Sequence, residues 1–438
     1  MSSTPDNGQG NKSEPFGQSR IGFSRVWGVS SHDHAEPIAD VSRARRLQSR
    51  KHHAVGWPIA GLILLGMIGL VMLGITTSKV GALPAVFGAV AALLPVGVVV
   101  AATVWIDRWE PEPPMLMVGA FLWGAGGATA CSLLLNNTSQ SVAHLLLGQA
   151  DHRFFLTAVI GPLVEEAAKA VFVVGLWIRR RAEFNGLVDG IVYASLTAAG
   201  FAFTENILYF GKAFADGGVT GGAVVALFVL RGVLAPFSHP LFTAMFGIAV
   251  GFAWGARTRI QQLGWLIAGY LVAVLLHAVW NSATFLGGAG FINVYFLIMV
   301  PVFLGTFALI VWQRKREQRI VIAQLPKLER AGLVARSEID LLASLTGRQG
   351  WLRKVKRHAG SQAAKSVRDY QIAVTELAFL QHRSEAGRTT SAARRARREK
   401  LIADLKQARR SAAGRQEAIQ TARINIGELT RRVPKPRE

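Results

Sequence analysis

Glu165-Glu166-x-x-Lys169 falls in the middle of an apolar run, Phe154 to Trp177, that is long enough to cross a bilayer. A charged side chain at bilayer depth costs about 2.5–3.5 kcal/mol on insertion scales, so three together call for a reason. On a helix Glu165 and Lys169 stand at i,i+4 and Glu166 and Lys169 at i,i+3, so the lysine reaches either acid. The two acids point about 100° apart, which lets one pair with Lys169 while the other faces a cavity. A buried ion pair that only orders helix packing is the duller reading of the same residues.

Further polar groups lie in later apolar runs: Glu205 with Asn206, His239 beside Pro240, and His277 with Asn281 at i,i+4 on one helix face. Measured from the outer ends of their runs, Glu165 lies roughly 16 Å deep, His277 roughly 14 Å and Glu205 roughly 8 Å, at 1.5 Å rise per residue. His239 follows a break, and a histidine at a helix N-terminus is biased toward the neutral imidazole, the form that acts as base or metal ligand. These groups can converge in one cavity in the outer half of the bilayer.

Two carboxylates beside imidazoles in a low-dielectric cavity suit activation of water by one acid as general base. His and Asn donors suit a tetrahedral oxyanion. A His/His/Glu set drawn from His239, His277 and Glu205 would equally ligate Zn²⁺, with another Glu as base. Both schemes hydrolyse peptide bonds. The sequence has no HExxH, no paired aspartate motif and no nucleophile elbow, so those protease classes are disfavoured.

Eight apolar runs can carry these groups: Val55 to Ile75, Leu83 to Ile106, Met115 to Leu135, Phe154 to Trp177, Leu187 to Phe210, Gly222 to Trp254, Gly264 to Leu286 and Phe291 to Trp312. The sixth is too long for one simple span and contains Pro236 and Pro240, so it should break into a membrane-dipping part and a shorter span. The reading is an all-α polytopic membrane protein of about eight transmembrane helices. Basic clusters at 43–51, 179–181, Arg257 with Arg259, and 314–316 all fall on one side if eight spans start from a cytoplasmic N-terminus. The C-terminus is then cytoplasmic too, and the protein sits multi-pass in the cell membrane.

Half of the 438 residues are hydrophobic, yet the formal net charge is +22. Much of that excess sits beyond Arg314, where about thirty Lys and Arg face about a dozen acids. Three domains follow. Residues 1–54 are a polar, disordered cytoplasmic tail, 55–313 the membrane domain that carries the site, and 314–438 a basic cytoplasmic region. In the last, Val367, Tyr370, Val374, Leu377 and Leu380, then Leu401, Leu405 and Ala408, recur at helical spacing and predict a helical hairpin. Its basic face at Arg394-Arg395-Ala396-Arg397-Arg398 could meet anionic lipid or an acidic partner. No motif supports nucleic-acid binding, and none is expected. The single cysteine, Cys131, excludes an intrachain disulfide.

Taken in order, 107–113, Glu165-Glu166-x-x-Lys169, 189–193, Phe201-x-x-x-Glu205-Asn206, His239 and His277-x-x-x-Asn281 resemble the PrsW family of polytopic membrane proteases, within the superfamily that includes CAAX prenyl endopeptidases. The CAAX branch carries an Arg one residue beyond the Lys169 position and a His at the Glu205 position, so the resemblance is to the PrsW branch. It covers roughly Asp107 to Asn281 and implies site-1-like cleavage of single-span membrane proteins such as anti-sigma factors, by metallo- or glutamic-type chemistry. By role it implies Glu165 or Glu166 as the water-activating base with Lys169 holding the other. His239 and His277 would bind oxyanion or metal, Asn281 would orient His277 or donate to the oxyanion, and Glu205 would complete the polar shell. Buried acids and imidazoles also form relays in ion-coupled transporters, and a non-catalytic membrane scaffold is a further alternative.

Overall fold

The computed structural model describes residues 39–147, 152–180, 184, 186–218, 221–385 and 391–413, so most of the expected N-terminal tail and the last 25 residues (414–438) lie outside the described residues. Every described element is helical. Helix α1 is Ala39–Val80 and α2 is Ala82–Ile106. The basic stretch at 43–51, read as tail, is thus continuous in backbone with the first apolar helix. Helix α3 joins Pro114–Leu122, Trp123–Ala128 and Thr129–Leu147, and α4 joins Arg153–Phe155, Leu156–Ile160 and Gly161–Arg179. Then come α5 (Leu187–Gly217), α6 (Gly222–Phe228 with Val229–Leu234), α7 (Ser238–Gly255) and α8 (Arg259–Ala283). Helix α9 joins Gly287–Val294, Tyr295–Met299 and Val300–Arg330. Beyond it lie α10 (Leu345–Glu385) and α11 (Ser391–Ala413).

Among the described residues seven helices are long and apolar enough to cross a membrane: Ala60–Val80, Ala82–Ile106, Pro114–Ala143, Leu187–Gly217, Gly222–Gly255, Arg259–Ala283 and Gly287–Arg330. The chain is therefore an all-α, multi-pass membrane protein embedded in a bilayer. Helix α4 is not among the seven: Glu165, Glu166 and Lys169 sit in its middle. The expected break in the sixth run is present, with Ala235, Pro236 and Phe237 separating α6 from α7. Helix α7 starts at Ser238, so His239 lies in its first turn and Pro240 follows it.

Helix α5 runs through the centre, buried at every position from Val188 to Phe201. Small residues let its neighbours close in: a Cβ on Gly190 would meet the carbonyl of Gly247 on α7, and one on Gly200 would meet the carbonyl of Phe121 on α3. Backbones approach this closely only where side chains are absent, the usual device where helices pack in lipid.

Four helices contain a widened, π-helical turn, at Trp123–Ala128, Leu156–Ile160, Val229–Leu234 and Tyr295–Met299. Three of them run into a proline within two residues: Pro162, Pro236 and Pro301. A proline ring clashes with the carbonyl four residues back, and widening the preceding turn relieves it. Carbonyls in or beside these loosened turns are taken by polar side chains of neighbouring helices. Thr204 Oγ1 donates to Ala125 O at 2.8 Å, Asn281 Nδ2 to Thr157 O at 2.9 Å and Tyr295 Oη to Leu234 O at 2.8 Å.

At the other end of α5, the 107–113 loop is tied down by buried acids. Asp107 Oδ2 accepts the Glu112 N–H at 2.9 Å, and Tyr193 Oη donates to Glu112 Oε2 at 2.7 Å. Trp109 of this loop is buried in a core shared with Val321 and Leu325 of α9, Val355 and Val374 of α10, and Leu401 and Leu405 of α11. The stripe Val367, Tyr370, Val374, Leu377 and Leu380, with Leu401, Leu405 and Ala408, is the buried one. Part of the basic charge turns inward. Arg397 pairs with Glu376 at 2.7 Å, Arg409 with Glu338 at 3.2 Å, and buried Arg348 donates to Thr375.

Candidate active site

Beyond the wide turn before Pro162, α4 is rotated with Glu165, Glu166 and Lys169 toward α5, α7 and α8. Two contacts fix that rotation: Trp123 Nε1 donates to Ala168 O at 3.0 Å, and Tyr270 Oη to Leu163 O at 2.8 Å.

Glu166 is fully enclosed, and both its oxygens are occupied. Oε1 accepts from Lys169 Nζ at 2.8 Å and from His277 Nδ1 at 3.0 Å, and Oε2 accepts from Thr243 Oγ1 at 2.8 Å. A buried charge needs a partner and hydrogen bonds to its remaining lone pairs, and Glu166 has both. Lys169 has 0 % of its side chain exposed. Besides Glu166 it meets His239 Nδ1 at 3.2 Å and lies 4.0 Å above the Phe201 ring. Lys169 thus holds Glu166, while Glu165 Oε2 stands 3.9 Å away.

An ammonium only donates, so His239 Nδ1 must accept from Lys169, and its proton sits on Nε2. That Nε2 donates to Glu205 Oε2 at 2.9 Å. Glu205 is also paired with Arg231, whose Nε donates to Asn206 Oδ1 at 2.7 Å and whose guanidinium lies over the Tyr209 ring at 4.2 Å. His277, by contrast, gives its Nδ1–H to Glu166 and turns the lone pair of Nε2 toward Glu165 Oε2, 3.8 Å away. Phe242 stacks on the His277 ring with centroids 5.1 Å apart, and the His239 and His277 rings meet edge to face at 5.0 Å.

Glu165 is the acid left over. Its side chain is 13 % exposed, and its buried Oε2 has no hydrogen-bond partner. Oε2 and His277 Nε2 are two acceptors turned toward each other, an arrangement suited to a water that donates to both or to a cation. Ligand atoms of Glu165, His239 and His277 all lie within 4.8 Å of one another. Two imidazoles and a carboxylate are a zinc donor set, and the Glu166···His277 bond is the carboxylate–histidine contact that orients a ligating imidazole. The residues present fit a divalent ion such as Zn²⁺ once His239 gives up one of its two hydrogen bonds, to Lys169 or to Glu205.

Six of the seven residues singled out from the sequence meet in this cluster. Two details differ from expectation. The carboxylate grouped with His239 and His277 is Glu165, because Arg231 engages Glu205. Asn281 gives its amide to the Thr157 carbonyl that the wide turn frees, at 2.9 Å, and not to His277. Arg231, Thr243 and Phe242 went unread. Arg231 was detectable: it is a lone charge in the apolar stretch 222–236, and the cost argument applied to Glu165 applies to it equally.

The family model described as PrsW family intramembrane metalloprotease matches residues 112–306, which include every residue of the cluster. The match runs past Asn281 into α9 and begins just after Pro111. Among curated proteins, the protease PrsW of Clostridioides difficile is 25 % identical over 185 residues, covering 40 % of this chain and 71 % of that protein. The Geobacillus kaustophilus protease PrsW is 29 % identical over 175 residues, covering 40 % of this chain and 69 % of its own length. That of Oceanobacillus iheyensis is 35 % identical over 164 residues, covering 36 % and 66 %. No solved structure matches the chain. With the buried Glu/His/His cluster lying inside the matched segment, the chain belongs to the PrsW family of intramembrane metalloproteases.

Proposed function

We propose that the chain is an endopeptidase that hydrolyses peptide bonds of membrane-anchored proteins, with Glu165 as the working carboxylate. The observation that carries this reading is the Glu165 Oε2 that accepts no hydrogen bond and stands 3.8 Å from the Nε2 lone pair of His277. A water held between these two acceptors gives a proton to Glu165 as its oxygen attacks the scissile carbonyl carbon. The same carboxyl then returns the proton to the amine nitrogen as the C–N bond breaks. Glu166 holds His277 in the tautomer that presents Nε2 to that water, and Lys169 keeps Glu166 in place. Arg231 fixes Glu205, which in turn fixes His239. Phe201 and Phe242 wall the cluster and lower its dielectric.

In the metal-loaded chain Glu165, His239 and His277 would hold Zn²⁺ through the atoms that otherwise hold the water, with one His239 nitrogen released from Lys169 or Glu205, and the second carboxylate oxygen of Glu165 would be left to take the water's proton. When bound, the ion supplies Lewis acidity and lowers the pKa of water. Helix α4 is the eighth crossing, its three charges offset by the partners described above, and both termini then lie in the cytoplasm. Because the cluster sits among membrane-spanning helices, its substrate must itself reach into the bilayer. The test uses purified full-length protein in liposomes with a single-span substrate, together with elemental analysis. One divalent ion per chain, and cleavage lost on chelation and restored by Zn²⁺, is expected. Undiminished cleavage by metal-stripped protein would reject the metal assignment.

A further inference from the structure

Pro236 cannot continue α6, so residues 235–237 leave the helix and α7 starts afresh at Ser238. Where this break meets α8 and α9 there is a cavity of about 260 Å³. Its inner wall includes Phe242, which stacks on the His277 ring with centroids 5.1 Å apart, and Trp280, one turn beyond His277 on α8. At its mouth stand Val233 and Leu234, which are 56 % and 50 % exposed on a helix apolar enough to cross a membrane. The cavity thus runs from a lipid-facing surface to a wall shared with the candidate active site. Phe237 packs on Phe303 of α9 with centroids 5.5 Å apart, and Phe242 and Tyr295 each pack on Trp280 at 6.5 Å. Tyr295 gives its hydroxyl to the Leu234 carbonyl, and no lining residue carries a charge.

These features select the occupant. A charged or strongly polar group would lose its water here and find no charge in return. The volume falls below the ~300–1,000 Å³ of clefts that hold drug-sized molecules, and suits a single large side chain. A segment arriving within the bilayer meets the mouth directly. We propose that the cavity receives a large apolar side chain, of Phe or Leu size, from a residue flanking the scissile bond of a membrane-spanning substrate. The inference rests on the endopeptidase reading above. Extended chain advances ~3.5 Å per residue, so a side chain held against Phe242 keeps the backbone one or two residues away within reach of Glu165 and His277. Binding energy gained in the cavity then holds the scissile carbonyl in place for attack. Val300 of α9 lines the cavity without touching the cluster, so it sets the size of side chain admitted.

Single-span substrates carrying Ala, Leu or Phe at successive positions are given to full-length protein in liposomes, and the cleaved bond is mapped by mass spectrometry. At one position within about two residues of that bond, Phe should be preferred to Ala at least ~10-fold in kcat/KM, the discrimination an apolar pocket supplies. Val300→Phe narrows the cavity, so this preference should fall ~10-fold while the Ala substrate is cleaved within about threefold of the wild-type rate. Equal cleavage of all substrates by the wild-type chain, or an unchanged preference in folded Val300→Phe, would overturn the pocket and leave the protease reading intact. A second measurement needs no turnover. In Glu165→Gln, a substrate with photo-leucine at successive positions should label the cavity at Val300 or Phe303, and Val300→Phe should reduce that labelling. Labelling only elsewhere, or a photoactivatable acyl chain in the cavity that the substrate fails to displace, would overturn the proposal. Cavity labelling by substrate with no cleavage in the wild-type chain would support the side-chain site and reject the protease reading alone.

Discussion

Replacing Lys169 by Met tests how the cluster is held together. The ammonium has no exposed surface and touches Glu166 Oε1 at 2.8 Å, His239 Nδ1 at 3.2 Å and the face of Phe201 at 4.0 Å. Met matches the length of the stem, so little cavity forms and the loss is electrostatic. Glu166 would remain buried, with His277 and Thr243 as donors and no cation. Removing one partner of a buried pair costs about 3–5 kcal/mol, because the other charge is left uncompensated. Glu166→Gln should cost less than Lys169→Met, since Glu165 Oε2 lies 3.9 Å from the stranded ammonium and can take over part of the pairing. The double variant should be more stable than additivity allows, by about 2 kcal/mol of coupling. Reversible unfolding in mixed micelles of the four proteins gives the cycle. A Lys169→Met chain within about 1 kcal/mol of wild type, or strictly additive single effects, would refute the view that Glu166 and Lys169 compensate each other's buried charge.

Two further predictions concern the periphery of the site and the loop. Arg231→Gln leaves Glu205 with His239 alone, so turnover should fall at least ~10-fold with global stability nearly unchanged, and Arg231→Lys should recover part of it. Cleavage assays with melting curves separate this from a folding defect. Burial, reinforced by Asp189, raises the Asp107 carboxyl from its ordinary 3.8 to about 7. The folded state then binds the proton more tightly than the unfolded state, so stability falls as pH rises from about 4 to about 7 and is flat above that. The change is at most about 4 kcal/mol at ~1.4 kcal/mol per pH unit. Asp107→Asn should flatten melting temperature against pH over that window, and an unchanged slope would count against this origin.

What the sequence revealed and what it withheld divide along the range of the interactions. Glu165, Glu166 and Lys169 could be read because i,i+3 and i,i+4 spacing is fixed by one helical turn, and the inference that one acid pairs while the other stays free follows from it. The break near Pro236 and the buried stripe from Val367 to Leu380 were local patterns as well. Which acid pairs was not local: Lys169 chooses Glu166 because Thr243 on α7 and His277 on α8 reach the same carboxylate. The contact of Asn281 is not local either. The Thr157 carbonyl that its amide meets is freed by a turn widened ahead of Pro162, and no spacing between Asn281 and His277 reports that. Counting charges as well as apolar residues in the sixth run would have exposed Arg231, and with it the engagement of Glu205.

Cleavage by Glu165→Gln tests the central claim most directly, because the amide keeps the shape of the side chain and cannot take a proton from water. In liposomes with a single-span substrate, turnover should fall at least ~10²-fold while the melting temperature stays near that of wild type. Turnover within about threefold of wild type would contradict the assignment of Glu165 as the working carboxylate.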